Sequence, residues 1–243
     1  MPSFGLTLIR FAALSLAVTL TGPTYAGTIT TFFNSDPGVA PPGPFPNSTA
    51  EQTTFIAAAT AHGDTVNTHD LDHQTVGSLN GLWLNGDGTF VVTGAFSAGQ
   101  NGITNTQTGN ANDPFNVTGG SNNNFIAIGP GNSITFTMND PINAFGSFFT
   151  GLDGSILHIT FNDGAVETVT VPTTPNGGAE YFGFLATSTF SSFTVEDLSS
   201  DNFGMDGISF GFAVLEPSSL TLLGAALLGA GWLRGRRKRG ISV

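Results

Sequence analysis

The stretch Ile156-Leu157-His158-Ile159-Thr160-Phe161-Asn162-Asp163-Gly164-Ala165-Val166-Glu167-Thr168-Val169-Thr170-Val171 decides the fold class. Apolar and polar residues alternate on both sides of Asn162-Asp163-Gly164, a period of two that puts one side of each run on a core and the other toward solvent. Asn, Asp and Gly tolerate the positive φ of a tight corner, so the stretch reads as a β-hairpin of strands 156–161 and 166–171. The same reading extends outward. Upstream, 82–84 and 89–92 flank a second turn signal, Asn85-Gly86-Asp87-Gly88, and 134–138 alternates. Downstream, 181–185, 190–195 and 208–212 add short strands at intervals of about ten residues. Short strands in series favour an all-β antiparallel sandwich or jelly roll over any α/β arrangement. Phe, present 22 times in 243 residues, supplies the core from alternate strand positions.

Before the strands the chain changes character. Pro37, Pro41, Pro42, Pro44 and Pro46 crowd around Gly38 and Gly43, which reads as an extended arm over 27–47. Ser48-Thr49-Ala50-Glu51 has the spacing of a capping box, and the Ala-rich run 51–61 with Phe55 and Ile56 reads as one short helix ahead of Gly63. Between 97 and 124 a Gly/Asn/Thr-rich stretch reads as long loops. One β-sandwich ectodomain over 48–213 is the expectation.

The formal net charge is -11, and its placement says more than its size. The six Lys and Arg lie only at the ends, at Arg10, Arg234, Arg236, Arg237, Lys238 and Arg239, while the 17 carboxylates run from Asp36 to Glu216. A purely acidic domain repels phosphate backbones, which excludes nucleic acid as a partner. With no Cys, thiol chemistry and disulfides are excluded as well.

Both ends read as export signals. Arg10, the apolar run 11–20, the breakers Gly22 and Pro23, and Thr24-Tyr25-Ala26 compose a signal peptide over 1–26, cut between Ala26 and Gly27 by signal peptidase. At the far end an apolar, Gly/Ala-rich stretch precedes the basic cluster. Residues 218–233 as a helix measure about 24 Å against a hydrocarbon core of about 30 Å, a marginal span that flanking arginines extend by snorkelling. The positive-inside bias then leaves the domain outside and the tail in the cytoplasm.

Val214-Leu215-Glu216-Pro217-Ser218-Ser219, the short helix and the Arg-rich end resemble the PEP-CTERM sorting signal of Gram-negative bacteria. Leu215 stands where the first Pro of that motif is usual. The resemblance implies that 214–240 is a sorting segment: Leu215, Glu216, Pro217 and Ser218 form the recognition motif, and Arg234, Arg236, Arg237, Lys238 and Arg239 form the basic stop. It implies processing by an exosortase, a transient stay in the inner membrane, and delivery to the envelope surface or extracellular matrix beside exopolysaccharide. Asp70-Leu71-Asp72, Ile142-Asn143-Ala144-Phe145-Gly146, Tyr181-Phe182-Gly183-Phe184 and Asn202-Phe203-Gly204-Met205-Asp206-Gly207-Ile208 resemble the β-sandwich ectodomains of the same proteins. Those are similar in turn to carbohydrate-binding jelly rolls. From that likeness Asp70, Asp72 and Asp206 are the expected ligands of a structural calcium ion, a hard cation that takes several oxygens.

Other chemistries find less support. His69 and His73 stand at i and i+4, which holds zinc on a helix, but Thr65, Val66 and Thr68 make the segment extended and separate them. Acids for glycoside hydrolysis are many and no pair is singled out. A Ser, His and Asp set is present in bulk through His62 or His158, and His158 falls inside an alternating strand. The domain also lacks the Lys or Arg that stabilises anionic intermediates. For glycan stacking and hydrogen bonding, Trp83, Tyr181 and the loop 121–124 are the visible suppliers. The expected role is a non-catalytic, structural or adhesive protein associated with exopolysaccharide. A secreted carbohydrate-active enzyme and a permanently anchored surface protein are the alternatives.

Overall fold

A computed structural model describes residues 28–39, 43–72, 74–78, 82–83, 86–96, 101–105, 124–152, 156–161, 166–170, 178–198 and 202–213. In chain order these form β1 (Ile29–Pro37), α1 (Pro46–His62), β2 (Thr65–His69), β3 (Gly77–Ser78), β4 (Leu82–Trp83), β5 (Gly88–Val92), β6 (Gly102–Thr104), β7 (Phe125–Ile128), β8 (Ser133–Thr150), β9 (Ile156–Phe161), β10 (Val166–Thr170), β11 (Gly178–Asp197) and β12 (Phe203–Phe212). The twelve strands join in one hydrogen-bonded sheet. Both hairpins expected from the turn signals are present, β9 with β10 through Val166 opposite Thr160, and β4 with β5 through Leu82 opposite Phe90.

Two long strands turn this sheet into a sandwich. Residues 142–150 of β8 lie between β12 and residues 179–185 of β11, with β1 beyond. Residues 134–138 of β8 lie between β5 and residues 192–195 of β11, with β9 and β10 beyond. Each long strand thus serves both layers. Phe136 and Phe145, nine residues apart on β8, would stand about 30 Å apart on a straight strand. Their ring centroids are 5.4 Å apart, and those of Phe184 and Phe193 on β11 are 5.9 Å apart. Both strands therefore fold over, β8 around Asn139-Asp140-Pro141 and β11 across the register break between Leu185 and Phe190. Register pairs Phe145 with Phe184 and Phe136 with Phe193, so four rings close the centre of the core. Each is fully or almost fully buried and contributes about 1.5–3 kcal/mol through the hydrophobic effect.

The helix covers the outer face of the β1, β11, β8 layer. Its Phe55 packs edge-on to Phe32 at 5.6 Å and tilts against Tyr181 at 5.8 Å. Gly146 and Gly183 are direct cross-strand partners beneath it. A Cβ at 146 would collide with the Tyr181 hydroxyl, and one at 183 would meet Phe55 at 3.0 Å. These two glycines let the helix and its tyrosine approach the sheet.

Three expectations change. The Pro-rich arm enters the sheet: residues 29–37 form β1, fully paired with β11. The helix begins at Pro46, and its N-cap, Phe45, makes no side-chain cap bond. Its first amides are served from β1, where Asp36 Oδ1 accepts from Asn47 N (3.1 Å) and Oδ2 from Ser48 N (2.8 Å). Ser48 donates instead to Ala179 O at 3.0 Å. Finally, the separate strands read at 181–185 and 190–195 are one strand. The expected signal peptide, its Ala26–Gly27 cleavage point and the expected sorting segment 214–240 lie outside the described residues. Among the described residues no helix is long and apolar enough to cross a membrane.

Candidate functional site

Where β8 folds over, the molecule has an open groove of about 350 Å³ lined by Thr65, Asn67, Asp87, Asp140, Pro141, Phe212 and Ala213. Three local features build it. Strand β2 pairs with β12, setting Thr65 opposite Phe212 and Asn67 opposite Phe210. By strand alternation Thr65, Asn67 and His69 share one side of β2. The turn before β5 brings in Asp87, and the bend of β8 brings in Asp140 and Pro141. Asn139 fastens that turn to that bend, donating from its amide N to Asp87 O (2.9 Å) and from Nδ2 to Gly86 O (2.7 Å).

Asp87 is the fixed point of the groove. Its Oδ2 accepts from Asn67 Nδ2 at 2.8 Å and from His69 Nε2 at 2.9 Å. His69 is buried, with its ring 5.9 Å from that of Phe210, so it positions the carboxylate from below. Asp140 and Thr65 are exposed and Phe212 is half-buried. The groove therefore offers two carboxylates, an amide and a hydroxyl beside an aromatic face. Carboxylates and amides bind neighbouring sugar hydroxyls, and an aromatic ring stacks on the apolar face of a pyranose.

The residues singled out from sequence have different places. Tyr181 is fully buried between Phe55 and Phe148, at 5.8 and 5.2 Å, so it belongs to the core and offers no stacking surface. Burial pushes its phenol pKa far above the ordinary value, the Ser209 hydroxyl offsets part of this, and the Glu51 charge adds to it. Trp83 stands in β4, opposite Thr89. Of the loop 121–124 only Asn124 is described. It is buried and clamps the segment after β2, donating to Gln74 O (2.7 Å) and Asp72 O (3.4 Å) while Asp72 Oδ1 accepts from its amide (3.3 Å). His158 sits outward on β9 between buried Leu157 and Ile159. His69 lies in β2 bound to Asp87, and its zinc counterpart His73 is outside the described residues.

Asp70 is exposed just after β2, Asp72 is buried against Asn124, and Asp206 is fully buried in β12, where its Oδ1 accepts from Gly207 N (2.7 Å). Among the described residues no three His, Asp or Glu side chains form a group able to hold a metal ion, so these three aspartates are not gathered as one. The pattern Gly207-Ile208-Ser209-Phe210-Gly211 has the spacing of a nucleophile elbow. Ser209, however, is fully buried within β12, its Oγ 2.9 Å from Thr68 Oγ1, and it offers nothing to a substrate.

The groove residues Asn67, Asp140 and Phe212 were not legible as a site from sequence. Asp87 was legible only as part of the turn at 85–88.

No family model matches the chain, and no curated protein matches it. Among solved structures it is similar to the K2 cleaved adhesin domain of Lys-gingipain, at 11% identity over 61% of this chain and 99% of that one, with a TM-score of 0.41. It is also similar to a family 29 carbohydrate-binding module, at 11% identity over 61% of this chain and 92% of that one (TM-score 0.31). A third is the family 11 carbohydrate-binding module of a cellulosomal cellulase of Clostridium thermocellum, at 10% identity over 63% and 99% of the two chains (TM-score 0.31).

Proposed function

We propose that this chain is an exported, non-catalytic surface or matrix protein that binds polysaccharide in the groove at the fold of β8. The observation that carries the reading is the groove itself. A carboxylate held in place by Asn67 and His69 stands with an exposed Asp140 and the face of Phe212, in a domain that carries no Lys or Arg. Such a site suits neutral sugars through hydroxyl donors and ring faces, and repels anionic polymers. The calcium ligands implied by the ectodomain resemblance, Asp70, Asp72 and Asp206, have no part in it. Delivery rests on the two ends: removal of 1–26 by signal peptidase, and handling of 214–240 by an exosortase in the inner membrane.

Affinity electrophoresis of the chain through gels containing neutral glucans, mannans and galactans tests the groove. One neutral polymer retards the chain, and Asp140→Ala and Phe212→Ala abolish at least nine-tenths of the retardation. Equal retardation of parent and variants would place binding elsewhere. Shortening of the polymer, lost on substitution of Asp87 or Asp140, would turn the reading into that of a carbohydrate-active enzyme.

A further inference from the structure

Strand β1 leaves one side of its backbone open. Among the described residues its one ladder partner is β11, and the register runs unbroken from Ile29 opposite Ala186 to Pro37 opposite Gly178, so no bulge turns the strand aside. Which groups face outward follows from the contact just ahead of it. Thr187 N donates to Thr28 O at 3.1 Å, and Thr28 N donates to Thr187 Oγ1 at 3.0 Å, so the backbone of Thr28 points at β11. Residues of an antiparallel pair alternate in this respect, and Ile29, Thr31, Phe33 and Ser35 therefore point their N–H and C=O groups away from β11. Ser35 is already served: its amide donates to Asn34 Oδ1 (3.0 Å) and its carbonyl accepts from Asn47 Nδ2 (3.3 Å). Ile29, Thr31 and Phe33 are the open part of the edge.

Sheet edges are ordinarily shielded by Lys, by inward-pointing charge, by bulges or by Pro. None of these falls between Thr28 and Ser35, and the next Pro is Pro37. On the core face of β1, Ile29 and Phe33 pack against the main core yet stay half-exposed, and Thr31 between them is exposed. On the helix face Phe32, edge-on to Phe55, is half-exposed as well. Charge also singles out this strip. A domain with no Lys or Arg between residues 11 and 233 repels its own copies, and the uncharged run from Thr28 to Ser35 is where that repulsion has no local source.

We propose that two copies of this chain pair antiparallel through β1, about a two-fold axis at Thr31. The register centred there uses every open residue: Ile29 faces Phe33 of the second copy, Thr31 faces its own equivalent, and each facing pair exchanges both backbone bonds. The side chains suit it. Ile29 and Phe33 cover each other's exposed parts on the core face, Thr31 meets Thr31, and Thr30 meets Phe32 on the helix face, all pairs of the kind that stabilise a sheet. An edge complementary to itself about a two-fold closes as a dimer and does not grow further. Strands β1 and β2 are the two outer strands of the layer β2, β12, β8, β11, β1, so pairing through β1 leaves the groove beside β2 open in each copy. The pair then offers two grooves to one polymer. That consequence rests on the groove reading, whereas the pairing itself does not.

The test sediments the full chain over a concentration series, in detergent matched in density to the solvent. The expected result is a shift from one chain to two as concentration rises, because so short a ladder buries little area. Thr31→Lys sets two cations opposite each other and Thr31→Glu two anions, so each variant alone stays a single chain, and an equal mixture of the two returns to pairs. Melting temperatures stay level, since Thr31 is exposed. Should either variant fail to fold, Thr31→Cys decides. The chain has no other cysteine, Cα atoms about 5.5 Å apart in such a facing pair suit a disulfide, and mild oxidation links two chains at 31 but few at 30 in Thr30→Cys. A single chain at every concentration, pairs that survive Thr31→Lys, or a mixture that does not recover would each overturn the pairing. Loss of polysaccharide retardation with pairing intact would strike the groove reading alone.

Discussion

Tyr181 is a titratable side chain made into core. Its phenol stays protonated in the fold because burial opposes the anion. Above pH 10 the unfolded chain releases that proton while the folded chain keeps it, so the unfolded state binds fewer protons and stability falls as pH rises, by up to about 1.4 kcal/mol per pH unit. The contribution is fully present below pH 10. No Lys stands between residues 11 and 233, and the other tyrosine, Tyr25, lies outside the described residues, so among those residues this alkaline slope belongs to one side chain. Melting temperatures measured from pH 9 to 12 should fall in the parent and hold nearly level in Tyr181→Phe; equal slopes would contradict the burial. Asp36 is the second residue whose role is local and checkable. Two amides at the start of α1 depend on its carboxylate, so Asp36→Ala should cost about 1–3 kcal/mol in urea unfolding.

At the level of elements, the hairpins were readable because Asn-Asp-Gly at 162–164 and Asn85-Gly86-Asp87-Gly88 are turn sequences between alternating runs, and Gly86 takes the left-handed φ of +98° that glycine suits. The helix was readable in its body but not at its start, because its cap comes from Asp36, ten residues ahead of Pro46 and across a strand boundary. Strand β1 was hidden by the prolines after Gly38, which describe the connection to the helix rather than residues 29–37. Most of the groove was hidden for a related reason. The strand read from sequence stops at Met138, whereas β8 runs on through Asn139-Asp140-Pro141, the bend that makes the two layers and opens the site. Gly146 and Gly183 were visible as motif residues, and their reason is the approach of Tyr181 and Phe55. Gly146→Ala should therefore destabilise by about 1–3 kcal/mol. Adding Tyr181→Phe removes the colliding hydroxyl and recovers part of that loss, which a double-mutant cycle by chemical denaturation reads as a favourable coupling; strict additivity would mean the two do not meet. Phe145→Ala, at the centre of the four-ring core, should cost about 3–5 kcal/mol.

Over the whole molecule, charge and architecture point the same way. An acidic sandwich without internal cations has little to offer a nucleic acid or an anionic polymer, and its groove displays hydroxyl-binding groups beside an aromatic ring. The basic residues are confined to the two ends, where export and sorting would use and then remove them. From that placement we propose that the folded part works outside the cell, free of both ends and held by polysaccharide. The measurement that tests it most directly is the intact mass of the chain recovered from the extracellular polysaccharide fraction of its native cells, with both terminal peptides identified. The account predicts a chain beginning at Gly27 and ending close to Glu216. A chain that retains Trp232 and the arginines, or that is absent from that fraction, would contradict it.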